Sequence, residues 1–246
     1  MSPLRHVKPA SQMSARTGKG PTPGGAAGLA GPPAPVPGLE EAVVRGGPGA
    51  SAGLGFHLAR LTASPRPEGA HDRLVALVTP GAWTRERGRV LARGAQRYGI
   101  DPERWLFVRV EKEAQALWAL EEILRAGAAD LALGMVEQVS LTQSRRLDMA
   151  ARDSGATVAL LKTKEEAVGL SCARRRWRVS PLPSAPHRWD PRAPGAPRWR
   201  AELTRRRDGP TGAWNLEWND ETGRLDLVEG LAGDGLGQGA RQVASG

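Results

Sequence analysis

Four short apolar runs, RLVALV (73–78), WLFVRV (105–110), DLALGMV (130–136) and ATVALLK (156–162), are separated by segments with the period of amphipathic helices, and few folds satisfy that alternation. A continuous apolar run of this length fits a strand covered on both faces. The helical segments between the runs are then crossovers that return the chain to the same end of a parallel sheet. In EKEAQALWALEEILRAG (111–127), Leu117, Leu120 and Leu124 fall on one stripe with Ile123 beside it, and Gly127 stands where a left-handed cap ends a helix. Trp118 stands at the edge of that stripe, either as a half-buried core residue or as an anchor for a partner, while Glu121 and Glu122 read as a solvated outer face. SLTQSRRLDMAARDSG (140–155) offers Ser140 or Thr142 as N-cap, Leu147, Ala150 and Ala151 as inward residues, and Gly155 as the stop.

After Lys164 the period changes from helical to two. Trp177 and Val179 alternate with Arg176 and Arg178; Trp199, Ala201 and Leu203 alternate with Arg198, Arg200 and Glu202; Trp214, Leu216 and Trp218 share a side, as do Leu225 and Leu227. These segments are expected to be antiparallel strands with the tryptophans Trp177, Trp199, Trp214 and Trp218 inside, and with an arginine face on which Glu202 and Glu217 pair across strands. The Pro-rich stretch 180–197 reads as a long surface loop. The expected organisation is a disordered Pro/Gly-rich arm (1–40), an α/β core (41–170), an antiparallel extension (171–230) and a flexible tail (231–246).

The chain of 246 residues carries a formal charge of +9, mostly through arginine in a background of Ala, Gly and Pro. That excess fits an acidic partner such as nucleic acid, and equally a drift in composition. Cys172 is the single cysteine, which excludes an internal disulfide and a thiolate metal cluster. His6, His57, His71 and His187 form no pair with metal-ligand spacing, and nothing orients His187 toward Cys172 for nucleophilic chemistry. No apolar run has the length of a membrane span and the first residues lack a secretory core, so a cytoplasmic protein without membrane partners is expected.

VVRGGPGASAGLGFHLARL (43–61) has the order strand, glycine-rich turn, helix start that a phosphate-binding loop requires. Such a loop wraps phosphates with backbone N–H groups, places a lysine on the terminal phosphate and holds magnesium with a hydroxyl. Here Gly47, Gly49, Gly53 and Gly55 supply flexible backbone, but Leu54 and Gly55 stand where the lysine and the hydroxyl belong. The expectation is a degenerate loop that keeps its shape and holds no cofactor, with a residual nucleotide-dependent switch as the weaker alternative. No catalytic constellation is present elsewhere.

EAQALWALEEILRAGAADLALGMV, LTQSRRLDMAARDSGATVALLK and the paired RWRV and PRWRAEL…WNLEW resemble the ImuA family, RecA-like accessory proteins of bacterial SOS mutagenesis that are sometimes grouped with the cell-division inhibitor SulA. The resemblance runs from about residue 41 to 229. It implies a three-layer RecA-like sheet, mostly parallel, with helices on both faces and C-terminal antiparallel strands. It places Met135 where an active ATPase has an acidic magnesium partner, and VTPGAW (78–83) lacks the glutamate expected after the preceding strand. It further implies a non-enzymatic adaptor in translesion synthesis, joining an inactive Y-family-like protein of the ImuB kind to an error-prone replicative-type DNA polymerase, with RecA or DNA as further contacts. The alternatives are a DNA-binding module of a repair complex and a SulA-like division inhibitor. Candidate contacts are Trp118 and the arginines Arg174, Arg175, Arg176, Arg205, Arg206 and Arg207.

Overall fold

The computed structural model describes residues 31–44, 49–64, 73–163 and 169–228. The strands are β1 (Gly38–Val44), β2 (Leu74–Pro80), β3 (Trp105–Val110), β4 (Ala129–Met135), β5 (Thr157–Lys162), β6 (Arg175–Leu182), β7 (Arg198–Arg206), β8 (Gly212–Asn219) and β9 (Arg224–Leu227). The helices are α1 (Gly49–Ala63), α2 (Gly81–Arg87), α3 (Ala92–Ala95), α4 (Glu113–Arg125) and α5 (Leu141–Ser154). Among the described residues these nine strands lie in one sheet of order β3-β2-β4-β5-β1-β6-β7-β8-β9. The pairs from β3 to β6 are parallel and those from β6 to β9 antiparallel.

The helix ends follow from local chemistry. Ser140 caps α5 by accepting from the Gln143 N–H, while the Gln143 side chain accepts from the Ser140 N–H, and Gly155 closes the helix at φ 74°. Gly127, at φ 63°, follows α4 as expected. Two apolar clusters flank the sheet. One joins α1, Tyr98 and Ile100 to the tryptophans of β6, β7 and β8; the other joins α4 and α5 to β2, β4 and β5. Trp177, Trp199, Trp214 and Trp218 are buried in the first cluster, as their alternation requires. Helix α1 packs on β1, β5 and β6 and also touches β9, which is four strands beyond β1. A flat sheet would separate those strands by about 19 Å at the usual spacing, so the antiparallel part curls over α1.

Three expectations are corrected. β6 belongs to the parallel part through β1 and turns antiparallel only at β7; a period of two records which face a residue occupies and is silent about which way the neighbouring strand runs. β3 is an edge strand with Phe107 and Arg109 exposed, although its run looks as apolar as the central ones. Residues 31–40, placed within the arm by the sequence, are tied into the fold: the carbonyls of Pro33 and Ala34 accept from the Arg60 and Arg175 guanidiniums, and the Val36 carbonyl accepts from the Thr157 hydroxyl, while residues 1–30 lie outside the described residues. Residues 231–246 lie outside the described residues.

Candidate functional site

The junction of β1 with α1 lies at the carboxyl end of a central parallel strand, where open α/β sheets bind ligands. Residues 45–48, Gly47 among them, are outside the described residues. Beyond them the helix has already begun at Gly49, so Gly53, Leu54 and Gly55 lie inside α1 and not in a loop. Close packing explains both inner glycines. A Cβ on Gly53 would stand 2.3 Å from Val44 Cγ1, and one on Gly55 would stand 2.6 Å from Tyr98 Oη and 3.2 Å from Trp199 Cζ2. Leu54 is buried in the cluster beneath α1, and Met135, at the end of β4, is buried in the same cluster. Both positions that the resemblance assigns to polar ATP chemistry carry core side chains.

The arginines form a second arrangement. The two triplets, far apart in sequence, meet because β6 and β7 pair with Arg175 opposite Arg206 and Arg176 opposite Arg205, and the Arg207 N–H donates to the Arg174 carbonyl. This corner is at the amino end of the parallel strands, since Arg175 also lies beside Glu40 of β1. It is therefore at the opposite end of the sheet from the β1–α1 junction.

Within the corner the six arginines differ. Arg175, expected on an exposed face, is 1% exposed and points inward with Trp177. Its guanidinium reaches Glu40 at 3.4 Å and Asp208 at 2.7 Å. Glu40 also binds the buried Arg60 at 2.7 Å and accepts from the Trp177 indole N–H at 2.9 Å. Burial pushes the Glu40 carboxyl up, but Arg60 opposes it by charge and hydrogen bond, with help from His57 and Arg175, and the net result is a value of about 2. His57 is held neutral, at about 3, by burial and by the Arg60 charge, against the pull of Glu40. Hydrogen bonds from Arg175 hold Asp208 below the usual carboxylate range. Arg176 pairs with Glu41, which also faces Lys162, and Arg206 pairs with Asp208. Arg174, Arg205 and Arg207 are in no ion pair among the described residues, and Arg207 is exposed.

The sequence reading missed Glu40, Glu41, His57 and Arg60. A signal was present: two glutamates stand inside the strand GLEEAVV, where an uncompensated charge is untenable. Glu121 is likewise not solvated but buried between Arg125 and Arg146, where it ties α4 to α5. Glu202 and Glu217 do pair across strands, with Arg178 and Arg198. Trp118 is 64% exposed on α4, and α4 packs on β2, β3 and β4, so Trp118 and the arginine corner are not brought together.

Two curated proteins named Protein ImuA, from the NA1000 / CB15N and ATCC 19089 / CIP 103742 / CB 15 strains of Caulobacter vibrioides, are each 33% identical to this chain over 144 residues. Over that stretch the chain is ImuA-like. The match covers 55% of this chain and 59% of each relative, less than two thirds of their length. No protein-family model matches. Among solved structures, SulA from Pseudomonas aeruginosa aligns with a TM-score of 0.40 and 22% identity, over 51% of this chain and 98% of that one. No helix among the described residues is long and apolar enough to cross a membrane.

Proposed function

We propose that this chain is a RecA-like, non-enzymatic adaptor of SOS-induced mutagenesis, holding an ImuB-like Y-family protein and an error-prone replicative-type polymerase together during translesion synthesis. The likeness to ImuA supports the process. The observation that carries the non-enzymatic part is the packing of Leu54 and Met135 into the core at the two positions where RecA-like ATP chemistry needs polar groups. A scaffold needs geometry and contact area, and a core of nine strands with helices on both faces supplies both. The arginine corner is the proposed partner surface, because arginine contributes strongly where a partner presents carboxylates.

A double charge reversal, Arg205→Glu with Arg207→Glu, tests this reading. Neither residue is in an ion pair among the described residues, so thermal stability should hold while capture of the ImuB-like and polymerase partners from damaged cells falls at least tenfold. Wild-type capture by the reversed protein sinks the surface, and failure of the unmodified protein to capture either partner sinks the adaptor. A second reading, a DNA-binding module, is favoured by the same unpaired arginines. It requires salt-dependent binding of DNA by the isolated protein.

A further inference from the structure

A second basic surface lies away from the arginine corner, at the edge of the sheet formed by β3. Among the described residues β3 pairs with β2 alone, so one side of its backbone has no strand partner there. On the face shared with α1, Trp105 and Phe107 stand two residues apart with rings stacked 5.2 Å between centroids, and Phe107 is 47% exposed. Beside them is an apolar groove of about 240 Å³, walled by Leu77, Trp83, Val90 and Phe107. The Trp83 indole N–H, buried in that wall, has no acceptor among the described residues.

The rim is basic. Arg89 and Arg109 line the groove, and Arg85, Arg87 and Arg93 are exposed on the segment that covers it. None of these five arginines is in an ion pair among the described residues, and Glu86 is the single acid between residues 81 and 93. The two guanidiniums on the apolar groove itself, Arg89 and Arg109, and the three exposed on the segment beside it leave this surface with positive charge that no carboxylate among the described residues neutralises.

We propose that this edge binds an extended acidic peptide segment of a partner protein as a tenth strand on β3. Such a segment alternates apolar and acidic residues: its backbone completes the β3 ladder, its apolar side chains fill the groove beside Phe107, and its carboxylates meet Arg89 and Arg109. A nucleic acid would satisfy the arginines and stack on Phe107, but it has no N–H and C=O row to match a strand edge. A second copy pairing edge to edge would bring the same basic rim against itself. The proposal does not depend on the adaptor reading, because it concerns the chemistry of the edge and not the identity of the complex.

The probe is a fluorescein-labelled decapeptide alternating valine and glutamate, titrated against the full chain by fluorescence anisotropy. We expect saturable binding that slows hydrogen exchange of β3 amides and weakens at least tenfold when alternate peptide nitrogens are methylated, since methylation removes N–H donors without altering charge. Arg89→Glu with Arg109→Glu should weaken binding at least tenfold, and Phe107→Ser should do so while leaving the melting temperature near that of wild type. A lysine-for-glutamate peptide should not bind. No binding of the glutamate peptide, or binding indifferent to backbone methylation, overturns strand addition. A labelled oligothymidine that competes for Arg89 and Arg109 more strongly than the peptide assigns the edge to nucleic acid and overturns the proposal. Concentration-dependent dimerisation abolished by Phe107→Ser assigns it to a second copy and overturns it as well.

Discussion

The buried charges are the residues on which this protein's stability depends most sharply on conditions. His57 and Arg60 of α1 sit against Glu40 and Arg175 of the sheet, and each carboxylate oxygen of Glu40 has a guanidinium partner. A buried charge stripped of its partner costs about 3 to 5 kcal/mol, whereas a solvated arginine is nearly neutral to remove. His57 and Glu40 both have folded values below their ordinary 6.5 and 4.5. For such groups the unfolded chain takes up protons first, so stability is present above the ordinary value and is lost as pH falls toward the folded one. His57 should therefore start the decline near pH 6.5, at up to about 1.4 kcal/mol per pH unit, and Glu40 should steepen it below 4.5. Urea unfolding from pH 7 to 4 will show this. In His57→Leu the interval from 6.5 to 4.5 should be flat, and an unchanged slope would place the titration elsewhere.

At the scale of elements, the antiparallel strands hold the parallel core by their tryptophans. Trp199 of β7 is 2% exposed and lies 3.2 Å from where a Cβ on Gly55 would be, so β7 reaches the helix that follows β1. Trp218 of β8 donates to the Arg97 carbonyl, and Trp177 of β6 donates to Glu40, so two of the buried indoles satisfy their polar edge. Trp199→Ala should destabilise by about 3 to 5 kcal/mol, because a cavity that size collapses poorly under a helix already in contact. Arg200→Ala, on the outer face and paired with Glu202, should change stability by less than about 1 kcal/mol. Equal denaturation midpoints for the two variants would show that β7 does not carry this contact.

For the molecule as a whole, one sheet joins two ends with different character. The carboxyl end of β1 meets a helix whose first turns are built into the core, and the amino end of β6 carries arginines tied through Glu40 and Asp208. At the first end Leu54 and Met135 are buried apolar residues, and on the proposed reading they stand where a nucleotide site needs polar groups. Purified protein should show no magnesium-dependent ATP hydrolysis above background, and titration calorimetry should find no micromolar ATP site. A micromolar site would mean that residues 45–48 cradle phosphate without the lysine and the hydroxyl.

Local pattern was enough for the identity of most elements. The runs ending at Val110, Val136 and Lys162 are strands, the second stopping one residue short at Met135, Ser140, Gly127 and Gly155 mark helix ends, and the four alternating tryptophans face inward, because periodicity and capping act within a few residues. What covers each face was decided by strand order, which joins residues over a hundred positions apart. That order buried Arg175 against Glu40, put the apolar-looking β3 at an open edge, and turned Gly53 and Gly55 from loop residues into points of close contact under α1. Charge alone gave no indication of which arginines would be free. A guanidinium is solvated or neutralised according to the carboxylate that the fold brings beside it, and only the tertiary structure supplies that neighbour.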